Sequence, residues 1–233
     1  MKLFETDEVL ALDKPPGVSM ATSSREEKSA AAAVARLLEA CSQPPDVTLR
    51  LVHRLDLGTS GVVLLAKTEV AHRALTRALQ AGSARKTYRA LVWGHPVPAT
   101  GSIEKPLGRD PKDGRKMKVR PDGKSAVTRY QTLARLSSVA DLRLFPETGR
   151  THQIRVHLSE KGHPIVGDDL YGGATRWRGV RDPARRRALA HVERPLLHAE
   201  RIEIPELSID VAAPLARDYA KALDVLTRPE TRP

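Results

Sequence analysis

Apolar residues along this chain fall into short runs divided by Pro, Gly and charged clusters, and the spacing within each run predicts its element. Val9-Leu10-Ala11-Leu12 reads as a short strand. It closes on Asp13-Lys14-Pro15-Pro16-Gly17, where two prolines and a glycine force an extended segment and then a turn. Residues 29–41 are rich in Ala and Leu, predict a helix, and stop at Pro44-Pro45. The uninterrupted apolar run from Val62 predicts a buried strand over 62–67. Glu69 to Ala81 is a second helix with Leu75 and Leu79 on one face, ended by Gly82. Lys86 to Trp93 alternates as a strand does.

Further along, residues 105–124 mix Lys, Arg, Gly, Pro and Asp without apolar periodicity, which suits an exposed basic loop or hairpin. Ser125 to Leu136 and Asp141 to Phe145 are expected as paired strands, with Val139-Ala140 near the turn. Over 152–158 the period fits strand or helix. The flanks favour helix, with Thr151 as N-cap and Lys161-Gly162 as the stop. On that helix Ile154, Leu158 and Lys161 share one side, and His152, Arg155 and Ser159 another. Residues 173–194 hold seven arginines and little to build a core, with helix expected at 184–192. Ile202 and Ile204, then Ile209 and Val211, mark two late strands before a closing helix at about 215–226. Many strands on hairpin-length connections imply an α+β fold around a mixed, largely antiparallel sheet. One domain over 1–233 is expected, without repeats or coiled coil.

Composition narrows the partner. A net charge of +11, from 39 basic against 28 acidic residues, favours a polyanion, nucleic acid first. A GC-rich coding sequence would also enrich Arg and Ala, so charge alone is a modest argument. Only 3% of residues are aromatic, too few for a module that stacks bases on several rings. One cysteine, Cys41, excludes an internal disulfide and any Cys-rich zinc site, and reads as a packed, inert thiol. No signal-peptide pattern opens the chain and no apolar run reaches the ~20 residues that cross a bilayer. A soluble, cytoplasmic protein is the expectation.

The most informative segment is His53-Arg54-Leu55-Asp56, followed by Gly58-Thr59-Ser60-Gly61 and the apolar run. It sets a carboxylate on a turn at the mouth of a buried strand, the rigid mounting that a catalytic group needs. Taken alone, Asp56 could equally cap the turn or pair with an Arg. Elsewhere, His152, His157, His163 and Asp168 were weighed as a metal set; their spacing fits no recognised pattern. No phosphate-binding glycine loop or dinucleotide fingerprint is present.

Five ordered blocks resemble one family. They are Leu12-Asp13-Lys14-Pro15-Pro16-Gly17, His53 to Lys67, Lys86 to Gly94, Thr148 to Gly172, and Leu196-Leu197-His198-Ala199. Together they are similar to the RluA-type pseudouridine synthases over roughly residues 9–212. Leu57-Gly58 departs from the polar pair more usual after the Asp. No S4-type RNA-binding domain is expected ahead of the first block. RNA selection is then expected from the loops at 105–124 and 173–194.

The resemblance implies isomerisation of uridine to pseudouridine in ribosomal RNA, the large subunit's first, or in tRNA, with no cofactor and no metal. It makes Asp56 the catalytic group, as nucleophile toward C1′, nucleophile toward the ring, or base toward the ribose; sequence leaves these three open. Arg155 is the implied partner of Asp56, which lowers its pKa and orients it. Tyr88 would stack on the target ring and help remove the C5 proton. Arg54, two residues before Asp56, would fill the space left by the flipped nucleotide. Lys86 would meet a phosphate or the sheet edge, Thr59 and Ser60 would shape the turn, and His53, His152 and Gln153 are supporting candidates. A monomer is expected. The rival is a non-catalytic RNA-binding or ribosome-assembly protein on the same fold; a metal-dependent nuclease is a second.

Overall fold

The apolar run at 62–66 cannot face water on either side, and the computed structural model makes it the middle of a strand, Ser60–Ala66, buried at all seven positions. The structure describes residues 1–22 and 29–229. In chain order the elements are β1 (Lys2–Glu5), β2 (Val9–Lys14), α1 (Ala30–Ala40), β3 (Arg50–Leu51), β4 (Ser60–Ala66), α2 (Glu69–Ala81) and β5 (Arg85–Trp93). They continue as β6 (Thr100–Glu104), β7 (Leu107–Arg109), β8 (Met117–Val119), β9 (Val127–Leu136), β10 (Val139–Pro146) and α3 (Gln153–Glu160). The last are α4 (Pro183–Ala190), β11 (Leu197–Ile204), β12 (Ile209–Ala212) and α5 (Arg217–Thr227). The class is α+β, as the pattern predicts. No helix among the described residues is long and apolar enough to cross a membrane.

The chain divides into two compact units, Met1–Lys86 with His198–Pro214, and Thr87–Leu197 with Leu215–Pro233. In the first, β2 runs antiparallel between β1 and β4, taking one edge of β4 along its length. The other edge of β4 is shared: β3 pairs with Leu65 and Ala66, while β11 lies parallel at Ser60 and Gly61. The Leu64 N–H falls between these partners and donates to Nε2 of His53 at 3.0 Å. β12 pairs antiparallel with β11. Val62, Leu64, Leu75, Ile202, Ile204 and Val211 meet in the core on one side of this sheet. α2 supplies Leu75 to it. Its ends are as predicted: Thr68 accepts from the Ala71 N–H at 3.1 Å, and Gly82 is left-handed at φ +78°.

The second unit is an antiparallel meander in which β10 pairs with both β5 and β9, and β6 pairs with β9. Alternation along β5 divides its side chains between two cores. Ala90 and Val92 join Ile154 and Leu158 of α3, while Leu91 and Trp93 join Leu189 of α4 and Tyr219 and Leu226 of α5. Tyr219 donates to buried Asp141 at 2.9 Å, and burial pushes its phenol well up, so it stays a donor.

Three expectations need correction, and the hairpin reading of 105–124 holds. The β9–β10 turn is Ser137-Ser138, and Val139-Ala140 already pair in the strand, because a two-residue loop suffices for an antiparallel pair. The basic stretch 105–124 is an anchored hairpin: β7 pairs with β8, and Leu107 packs on Ala126 and on Val156 of α3. Residues 173–194 do contribute core, through Val180 and Leu189 with Trp177 and Val192 against them. The cap of α3 is His152, left-handed at φ +54°, instead of Thr151. The side chain of Gln153 bonds the preceding turn, accepting from the Arg150 N–H at 3.0 Å and from the Thr148 hydroxyl at 2.7 Å, and no side chain caps the helix.

Gly61 sits at φ +112°, and a β-carbon there would lie 2.2 Å from the Ala199 carbonyl oxygen. Gly61→Ala is therefore expected to cost about 3 kcal/mol or more. A urea midpoint equal to that of the unaltered protein would contradict this. Burial first, and the Lys86 charge second, hold His53 at about 4, against 6.5 when exposed. Its neutral Nε2 can then accept from Leu64. The unfolded chain takes up this proton first, so stability is present above pH 6.5 and is lost as pH falls toward 4. Between pH 6.5 and 4.5 the loss is about 2 kcal/mol, and His53→Gln should remove that part of the acid-side slope in urea titrations.

Candidate active site

The carboxylate loop is built by its backbone. The Asp56 carbonyl accepts from the Thr59 N–H at 3.0 Å, closing a four-residue turn with Leu57 and Gly58 at its centre. Leu57 is exposed, and its carbonyl accepts from the Gly17 N–H at 2.8 Å. Main-chain groups thus carry the turn, which is why an apolar residue at 57 is tolerated. Beneath it lies Lys14, whose side chain is wholly buried at the end of β2. Its ammonium donates to the carbonyls of Thr59 (2.7 Å), Pro15 (3.1 Å) and Leu57 (3.3 Å). A buried ammonium is tolerable only with such acceptors, and here the acceptors are the loop itself.

The downstream end is pinned by the fifth sequence block. His198 is wholly buried, with Nε2 3.4 Å from the Ala213 carbonyl and Nδ1 3.0 Å from the Ser60 hydroxyl. A carbonyl only accepts, so Nε2 carries the proton and Ser60 donates to Nδ1. Thr59 and Ser60 are buried and serve the turn, as expected. Asp56 is half-buried and Arg54 exposed at the front of the same loop. Lys86, half-buried near His53, is held below the usual lysine range by burial.

The second unit carries Tyr88, Gln153 and Arg155. Tyr88 is on β5 opposite Leu144, half-buried against the core that holds Ile154 and Leu158. Arg155 is buried on α3 and grips fully buried Asp168 with two bonds, Nε to Oδ2 and Nη2 to Oδ1, each 2.8 Å. Its guanidinium also lies 5.0 Å from the centre of the Tyr171 ring. These bonds use two of its five N–H donors and fix the plane of the rest. The Asp168 Oδ1 accepts from the Tyr171 N–H, the His152 ring nitrogen lies 2.8 Å from the Tyr171 hydroxyl, and Ser159 donates to the Tyr171 carbonyl at 3.0 Å. His152, Arg155 and Ser159 thus do share a helix side, the one that meets Asp168 and Tyr171.

Gln153 is engaged at both ends of its amide. Besides accepting from Arg150 and Thr148, it donates to the Val127 carbonyl (2.9 Å) and to the Thr128 hydroxyl (3.0 Å). Thr128 in turn meets Nδ1 of His157 at 2.9 Å, and His157 Nε2 donates to the Lys105 carbonyl at 3.0 Å. Burial pushes the His157 imidazole down, which keeps it neutral for this relay. His163 faces the Trp93 carbonyl at 2.9 Å. Among the described residues no group of His, Cys, Asp and Glu is disposed to hold a metal ion.

Lys14, Asp168, Tyr171 and His198 were not singled out for these roles from sequence. Lys14 had one available signal: it follows Leu10 and Leu12 at period two, which aims it to their side of the strand. Asp168 was weighed only as a metal ligand, and its partner lies thirteen residues back on a helix.

The RNA pseudouridylate synthase family matches residues 8–160. An uncharacterized RNA pseudouridine synthase of Chloroflexus aurantiacus is 46% identical over 149 residues, 64% of this chain and 43% of that protein. Ribosomal large subunit pseudouridine synthase D of Pseudomonas aeruginosa is 35% identical over 233 residues, covering 96% of this chain and 71% of the relative. The dual-specificity RNA pseudouridine synthase RluA of Vibrio cholerae is 39% identical over 170 residues, 72% of this chain and 67% of the relative. The chain therefore spans under half of the first of these relatives and about seven-tenths of the others. Among solved structures, human RNA pseudouridylate synthase domain-containing protein 4 superposes with a TM-score of 0.73 at 26% identity, covering 97% of this chain and 92% of that one. A family match over more than half of the chain, with relatives above 30% identity along nearly all of it, settles membership: the chain belongs to the RNA pseudouridylate synthase family.

Proposed function

We propose that this protein isomerises uridine to pseudouridine in RNA, with Asp56 as the catalytic carboxylate and Tyr88 and Arg155 as further catalytic residues. The observation that carries the reading is the mounting of Asp56, on a turn whose carbonyls are held from below by the buried ammonium of Lys14. The reaction breaks the N1–C1′ bond, turns the base and joins C5 to C1′; the C5 proton leaves and N1 gains one. It needs no oxidant and no energy input, so no cofactor enters. Hydrolysis of a glycosidic bond would call for a second carboxylate and a directed water.

Arg54 and Lys86 are the RNA contacts of the first unit, Arg54 taking the place of the flipped nucleotide. His53 and Gln153 support from behind, His53 through the β4 backbone and Gln153 through the start of α3. One named relative is a ribosomal large subunit pseudouridine synthase and another a dual-specificity RNA pseudouridine synthase; ribosomal RNA comes first for this chain on that basis, and tRNA second on the sequence resemblance. A cytoplasmic location and a monomeric enzyme belong to the same reading.

Purified protein should release tritium from RNA made with 5-³H-uridine. Asp56→Asn should lower that rate about a thousandfold, some 4 kcal/mol of barrier, while RNA still binds. A variant that turns over at the original rate would remove Asp56 from the mechanism, and RNA binding without tritium release by the unaltered protein would favour a non-catalytic role. Arg155→Lys keeps a charge but loses the two-bond grip on Asp168. It should reduce kcat about a hundredfold with KM within about threefold, because the group is misplaced and not deleted. A change confined to KM would contradict a positioning role.

A further inference from the structure

The seven arginines between 173 and 194 do two different jobs. Arg185 and Arg194 are buried. Arg185 donates to the Arg228 carbonyl at 2.7 Å, and Arg194 holds Asp218 with two bonds of 2.6 Å. The other five, Arg176, Arg178, Arg181, Arg186 and Arg187, are exposed. Among the described residues none of the five is ion-paired to a carboxylate. Arg176 reaches only the Gly162 carbonyl, at 3.4 Å, and Arg178 lies 5.5 Å from the centre of the Trp177 ring.

The scaffold beneath them is firm. Trp177, Val180 and Leu189 sit in the second unit's core, and Arg185 and Leu189, one turn apart, turn the inner face of α4 inward. Arg186 and Arg187 therefore stand on its outer face. Between 176 and 187 the sole acid is Asp182, half-buried and committed to capping α4 through the Arg185 N–H at 2.7 Å. The hairpin at 105–124 differs, since three aspartates interleave its bases, and Arg115 and Arg120 pair with Asp113 and Asp122.

Like charges held close repel, and a fold gains nothing from five of them without an anion. A guanidinium offers a planar fork that matches a phosphate. We propose that Arg176, Arg178, Arg181, Arg186 and Arg187 form a phosphate-binding platform that grips the backbone of structured RNA. This rests on the synthase reading for its substrate, and it divides affinity from chemistry. The platform supplies salt-sensitive binding through unit 2, and the Asp56 loop supplies the reaction.

The test compares two variants, all five arginines changed to Gln and all five changed to Lys. The probe is a fluorescein-labelled unmodified tRNA transcript, titrated at several KCl concentrations between about 50 and 200 mM. Each lost phosphate contact should reduce the slope of log Kd against log salt by about 0.7 to 0.9. The Gln variant should therefore lose about 4 from the slope, and its Kd should rise at least tenfold near 0.1 M. The Lys variant should keep most of both. Should the Gln variant melt at a lower temperature, Arg186→Gln with Arg187→Gln alone should still lose about 1.5 from the slope, since both side chains lie outside the core. An unchanged Gln variant, or a Lys variant as weak as the Gln one, would overturn the platform. So would polyglutamate competing as well as RNA, which would mark an acidic protein as the partner. Tritium release by the unaltered protein reads the other proposal separately. Release with arginine-independent binding overturns the platform alone; arginine-dependent binding without release overturns the synthase reading alone.

Discussion

One buried ammonium holds this protein's carboxylate loop in place. Lys14 ends a strand whose partners along β4 fix its position to the residue, and its three acceptors are carbonyls of the two turns that meet there. Taking an ammonium out of water is costly, and the cost is offset here by backbone carbonyl oxygens that accept from it. The consequence runs both ways. The loop cannot relax without stranding the charge, and the charge cannot leave without stranding the loop. A functional carboxylate placed on such a turn inherits the stiffness of the sheet, although the turn's two central residues carry no demand for a particular side chain.

The second unit reaches the same end by different means. α3 is buried nearly all round, yet it carries Gln153, Arg155 and His157. Each is answered by a specific polar partner: Gln153 by the β9 backbone and the turn before the helix, His157 by Thr128 and the Lys105 carbonyl, Arg155 by Asp168. A polar helix can be placed inside a core only when every such group is paired. The pairing also specifies one orientation, because rotating the helix by a single residue would leave all three unanswered. Neutral His157, kept so by burial, belongs to that arrangement.

Much of the frame was legible where one physical signal dominated. The α2 boundaries are as predicted because Thr68, an amphipathic run and Gly82 agree. β4 stood out because continuous apolar residues have nowhere to go but a core. The misses share another cause. β1, β3 and β6 are short strands without alternation, recruited by their neighbours' exposed edges. His152 takes a left-handed conformation that no local rule demands, and Gln153 braces the turn before the helix while no side chain caps it. The residues at 54, 56, 86, 88 and 155 stand out from the sequence as candidates, whereas the supports at Lys14, Asp168 and His198 do not. Their roles arise from contacts with distant segments, and single-sequence periodicity carries no information about which segments will meet.

Charge shows the same division between what composition announces and what structure assigns. A net charge of +11 says only that an anion is favoured. Placed in the fold, the basic residues separate into those spent on architecture and those left outside. Arg155 is consumed by buried Asp168, Arg185 by the Arg228 carbonyl and Arg194 by Asp218, and Arg115 and Arg120 by their neighbouring aspartates. Among the described residues, five arginines between 176 and 187 stay exposed without a carboxylate partner on one anchored segment. Val180 and Leu189 anchor that segment in the core with Trp177 packed against them, and its external arginines are answerable to a partner.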